Sequence, residues 1–105
     1  MLIRSAYWLG KPREGQEAAF RDLIAGELVP TMRTFPGVAA VRILWPQDHE
    51  EGAPPLYCQV LVEFADEAGK TAMMNSAERT ALRPRVLAAV GLFDGVMAHV
   101  DFEVE

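Results

Sequence analysis

From Leu56 to Phe64 the chain alternates. Cys58, Val60, Val62 and Phe64 share one side of an extended segment, and Tyr57, Gln59, Leu61 and Glu63 the other. One side is wholly apolar and the other is mixed, as in a sheet packed on one face and open on the other. That constraint organises the rest of the sequence, because every other segment must either pair with this strand or cover its apolar side.

Three further strands are readable. Residues 2–9 mix bulky and polar groups and end at Gly10-Lys11-Pro12. Residues 38–45 are rich in β-branched side chains and lie between Pro36-Gly37 and Pro46. Residues 96–103 set Val96, Ala98, Val100 and Phe102 against Met97, His99, Asp101 and Glu103, after an Asp94-Gly95 turn. Between the first two strands, residues 15–34 carry Phe20, Leu23, Ile24, Leu28 and Met32 at helical spacing. Pro30 removes the hydrogen bond to the Gly26 carbonyl, so that helix is predicted to bend near its end. Residues 47–55 form a polar loop holding His49. Asp66 is placed to cap a helix over 67–74, and Asn75 with Glu78 has the spacing of a second cap. The second helix carries Leu82, Val86, Leu87 and Val90, tolerates Pro84, and stops at Gly91.

The order is βαββαβ, which predicts a ferredoxin-like α+β fold. Its four-stranded antiparallel sheet would carry the helices on one face. At 105 residues, half of them hydrophobic, the chain makes one domain, 1–105, with a single core. The helix-facing set reads as Val41, Ile43, the Cys58 to Phe64 series, and Val96, Ala98, Val100 and Phe102. The open face then receives Val38, Arg42, Leu44, Tyr57, Gln59, Leu61, Glu63, Met97, His99, Asp101 and Glu103. The first strand has no fixed register, since Arg4 and Trp8 share one side and Tyr7 and Leu9 the other. Such an open face is too apolar for water, so two copies are expected to pair through it, enclosing a cavity fit for a small apolar molecule.

Several classes are set aside. The net charge is −5 and the cations are scattered, which excludes a phosphate-tracking surface and leaves no nucleic-acid partner. No apolar run is long enough for a membrane span, and Arg4 interrupts the start where a leader would be apolar. With Cys58 as the single cysteine, the chain reads as cytoplasmic. No phosphate loop, metal-spaced histidine pair or serine elbow is present, so no cofactor or metal is expected.

Several short pieces together resemble the EthD-like group of the dimeric α/β-barrel superfamily. They are Val29-Pro30 followed by Phe35-Pro36-Gly37-Val38, then Phe64-Ala65-Asp66-Glu67-Ala68, Asn75-Ser76-Ala77-Glu78, and Phe93-Asp94-Gly95. The resemblance implies a homodimer binding a small, largely apolar oxygenated compound. Its chemistry would be of the cofactor-free oxygenase, isomerase or cyclase kind, in a catabolic or oxidative setting. Relatives often carry a histidine two residues before the helix proline. Leu28 stands there in this chain, so that role is not carried over.

His99 is the candidate catalytic residue, because imidazole titrates near neutrality and can move a proton to or from an enclosed substrate. Asp101, two residues along the strand, lies about 7 Å away on the same side, near enough to act through its charge. Arg42, Tyr57 and Gln59 could orient a carbonyl, phenol or carboxylate, and Trp8 could form an aromatic wall. Each also has an ordinary structural role in pairing or packing. His49 lies among adjacent acids in a loop, where solvated charge explains it without a metal. Cys58 reads as a small buried hydrophobe. The alternatives to an enzyme are a non-catalytic binding or assembly module and, in third place, a haem-degrading monooxygenase using a cavity histidine.

Overall fold

In a computed structural model describing residues 1–105, four strands form one antiparallel sheet in the order β2-β3-β1-β4. The strands are β1 Leu2–Pro12, β2 Ala40–Leu44, β3 Leu56–Phe64 and β4 Phe93–Glu103. After β1 come α1 Glu17–Leu23, a π-turn at Ile24–Leu28 and α2 Val29–Met32, with helical backbone throughout. After β3 come α3 Glu67–Met74 and α4 Ala77–Gly91. This is the ferredoxin-like βαββαβ arrangement.

Local chemistry explains the departures from the expected boundaries. Pro30 cannot donate to Gly26, and the helix widens just before it, where the Val29 N–H reaches the Ile24 carbonyl, five residues back. Asp66 caps α3 by accepting from the Gly69 N–H at 2.9 Å. The cap of α4 is Ser76, whose Oγ accepts from the Arg79 N–H at 3.1 Å, while Asn75 closes α3. The capping pair thus sits one residue later than its spacing suggested. Asp94-Gly95 is not a turn but part of β4, with Gly95 opposite Gly10 and Phe93 opposite Pro12. Both glycines have positive φ, +128° and +155°, and a β-carbon on either would collide with the facing backbone carbonyl. Two bare residues therefore let the strands extend and carry Phe93 into the core.

The core lies between sheet and helices. Phe20 is fully buried, edge-on to Trp8 with centroids 5.0 Å apart and tilted against Phe93 at 5.1 Å. Ile24, Leu28 and Val29 pack beside it against Cys58, Val60, Val62 and Phe64. Burial pushes the Cys58 thiol up to about 12, with Arg21 opposing, so it is an inert core group.

Pairing fixes the faces. Arg4, Ala6 and Trp8 lie opposite Val62, Val60 and Cys58, which settles the register of β1: these three face the helices and Tyr7 faces away. Across the other ladder Arg4, Ala6 and Trp8 lie opposite Asp101, His99 and Met97. Met97, His99 and Asp101 therefore belong to the helix side, and Val96, Ala98, Val100 and Phe102 to the open face, the reverse of the sequence expectation. The physical reason is that β4 is an edge strand only partly roofed by the helices, so its inward side meets a cavity and not packed core. Tyr57 also changes sides. A bulge between Trp8 and Leu9 skips it in the ladder, and its ring turns to the helix layer against Phe20.

Candidate functional site

Between the sheet and the helices of the single chain lies a cavity of about 440 Å³. This volume falls in the range of small-molecule sites. Its floor is Arg4, Ala6 and Trp8 of β1, Val60 and Val62 of β3, and Met97 and His99 of β4. The helix rod supplies Leu28, Val29 and Met32, and α4 supplies Leu82, Val86, Leu87 and Val90. Ala6 at the centre of the floor leaves room that a larger side chain would fill. The cavity thus lies on the opposite side of the sheet from the one expected, and one chain supplies its whole lining.

Polar groups gather at the β4 side. Arg4 Nη1 donates to Asp101 Oδ1 at 3.0 Å, and Lys70 Nζ lies 3.0 Å from Asp101 Oδ2. Burial alone would raise the Asp101 carboxyl, but the hydrogen bonds from Lys70 and Arg4 outweigh it and hold it below its ordinary value. Asp101 is therefore an anchored counter-ion. His99 is shifted down from 6.5, first by burial and then by the charges of Arg4 and Arg79, with Asp101 opposing. At neutral pH its ring is uncharged and can accept a proton. Across from it, Arg79, Thr80 and Arg83 of α4 line the cavity.

Of the residues singled out from sequence, His99 and Trp8 line this cavity, and Asp101 touches it through Arg4. Arg42 and Gln59 do not join them. They lie on the open face, where Arg42 Nη2 is 3.4 Å from Glu63 Oε1, and Gln59 Nε2 donates to the buried Ser5 Oγ at 2.8 Å. Tyr57 is on the helix side but away from the cavity, donating to Glu17 Oε1 at 3.0 Å. Its phenol is raised, chiefly by burial, with Arg21 opposing and Glu17 adding. His49 Nε2 donates to the Leu56 carbonyl at 2.9 Å, tying the loop to β3. The sequence reading missed Arg79, Thr80 and Arg83. The available signal was Arg79-x-x-x-Arg83, two cations one turn apart beside the apolar stripe of α4.

Fold and cavity together define a class: a ferredoxin-like domain with an apolar pocket between its sheet and its helices. Among solved structures, an ethyl tert-butyl ether degradation (EthD) family protein from Bacillus halodurans superposes with a TM-score of 0.78 at 16% identity, over 100% of both chains. A candidate antibiotic biosynthesis monooxygenase from Deinococcus radiodurans gives 0.71 at 11% identity, over 100% of this chain and 93% of its own. A dimeric ferredoxin-like protein of unknown function from Jannaschia gives 0.63 at 20% identity, over 99% of this chain and 100% of its own. These likenesses establish the fold that the sequence motifs suggested. No family model and no curated protein matches the chain. No helix is long and apolar enough to cross a membrane.

Proposed function

We propose that this chain binds a small, largely apolar oxygenated compound in the cavity between its sheet and helices, with His99 as the group that moves a proton. The observation that carries the reading is an uncharged imidazole on the lining of a largely apolar pocket of about 440 Å³, whose other polar groups are Arg4, Arg79, Thr80 and Arg83. Such a base can take the proton from a carbon next to a carbonyl, or from a phenol. The electron pair stays on the substrate as an enolate or phenolate, and the proton returns from the imidazolium at the end of an isomerisation or cyclisation. Asp101 is committed to Arg4 and Lys70, so it positions Arg4 beside His99 and opposes the two arginine charges there. Trp8, locked between Phe20 and Phe93, is a rigid aromatic wall for the substrate body. The EthD-family and monooxygenase-like neighbours support small-molecule chemistry on this fold. The buried lone thiol fits a reducing, cytoplasmic setting.

The working form on this reading is a homodimer joined through the open sheet face. Leu44, Val96, Val100 and Phe102 are 44%, 60%, 45% and 41% exposed there, large apolar side chains on a sheet face that no helix covers.

The test of His99 does not require the natural substrate. Incubated in deuterated water with an enolisable aryl ketone such as β-tetralone, the protein is expected to speed exchange of the hydrogens beside the carbonyl. His99→Ala should lower that rate by a factor on the order of 10² or more, with melting behaviour unchanged. The rate carried by the neutral ring should fall only as pH drops below 6.5, through the lowered value of His99. Equal exchange by the variant would assign His99 a structural role and leave a binding module.

A further inference from the structure

We propose that the cavity selects amphipathic acids, holding the apolar body of the ligand under α4 and its carboxylate on Arg79 and Arg83 at the wall facing His99. This inference rests on the small-molecule reading above and adds the charge of the ligand to it.

Four cations of the chain are held in ion pairs. The ion pairs of the chain are Arg4 with Asp101, Lys70 with Asp101, Arg42 with Glu63 and Arg85 with Glu27. Neither Arg79 nor Arg83 is among them. The guanidinium of Arg79 makes one long bond, 3.4 Å, to the Met74 carbonyl, and that of Arg83 makes none. Both belong to the cavity lining although the chain as a whole carries five more negative than positive charges. Arg83 is exposed and Arg79 half-buried, so their guanidinium groups are open to a bound anion, which would gain charge-assisted hydrogen bonds from them.

The geometry suits a carboxylate. Residues four apart on a helix present their side chains to the same side, so the two guanidinium groups can converge on one oxygen pair. A guanidinium forks onto two oxygens, which a hydroxyl or an amine head group cannot match. Asp101, a carboxylate on the cavity side of β4, is held by Arg4 and Lys70 and makes no ion pair with the α4 cations. Apart from Arg4, already paired with Asp101, and from Thr80 and His99, the remaining lining is apolar, with Leu28, Val86 and Leu87 offering nothing to a second charge. A monoanion with a hydrocarbon body fits this division, and a polyanion or a cation does not.

Calorimetry with octanoate, octanol and octylamine on the full chain tests the assignment. Octanoate is expected to bind about tenfold or more tighter than octanol, with octylamine weakest. Arg83→Gln and Arg79→Gln should each lower octanoate affinity several-fold and leave octanol affinity unchanged. The fold should survive both changes, because Arg83 is exposed and the Ser76 cap uses the backbone N–H of Arg79. Octanol binding as tightly as octanoate, or octanoate binding untouched by both substitutions, would overturn the acid-selective inference and leave the small-molecule reading standing. Failure of all three probes to bind would overturn both.

Discussion

Val100→Asp is expected to convert a dimer of two 11.6 kDa chains into monomers, read by size-exclusion chromatography with light scattering. Val100 lies on the open side of β4 opposite Ser5, 45% exposed, so the isolated chain accommodates a carboxylate there with little loss of stability. In a paired sheet face the same carboxylate would be buried without a partner, at a cost of several kcal/mol. Leu61→Asp, on the same face opposite Ser5 from the other strand, should act alike. Leu87→Asp, on the helix side at the lip of the cavity, should leave the dimer intact. A monomeric wild-type chain, or an unchanged mass for Val100→Asp, would contradict pairing through this face.

The alternation of residues 96–103 was fully legible, but alternation states only that two faces differ, not which one meets the helices. The apolar side was assigned inward because inward sides are usually packed. Here the helices stand off the edge strand, so the inward side of β4 borders a cavity and carries His99 and Asp101, while the apolar side faces out. The same reversal makes the open face more apolar than expected, with Val96, Val100 and Phe102 in place of Met97 and His99. Tyr57 was misplaced for a different reason: a bulge breaks the period of two at one residue, and nothing in Leu56-Tyr57-Cys58 announces it. The apolar side of β3, from Cys58 to Phe64, is roofed directly by the helix rod and meets core as its alternation indicates. His99 and Trp8 were found as residue types suited to a site. Arg79 and Arg83 escaped notice because a cation on a helix is ordinarily solvated, and only the tertiary structure shows which of them adjoin a pocket.

Phe20→Ala is the substitution expected to cost most stability. Phe20 is wholly buried and touches three other rings, Trp8 at 5.0 Å, Phe93 at 5.1 Å and Tyr57 at 5.7 Å. Truncation would leave a cavity that the strands on either side, fixed by their ladders, cannot close. A loss of about 3–5 kcal/mol is expected in denaturant unfolding. That is a large fraction of the roughly 5–15 kcal/mol typical of a domain. Because Phe20 also holds Trp8 edge-on, ligand affinity should fall under conditions where the variant remains folded. Leu87→Ala, at an exposed position on the cavity lip, should cost under about 1 kcal/mol. A loss for Phe20→Ala no larger than that of Leu87→Ala would show that the aromatic cluster does not hold the layers together.

The central claim is that the ligand site lies inside each chain, between sheet and helices, and not between two paired sheets. Titrating isotopically labelled protein with octanoate and following backbone and methyl resonances locates the ligand directly. The account predicts shifts at Ala6, Val60, Val86 and Met97, which line the cavity, with Leu44, Gln59 and Val96 on the opposite face unmoved. Shifts confined to Leu44, Gln59, Val96 and Val100 would place the site on the open face and contradict it.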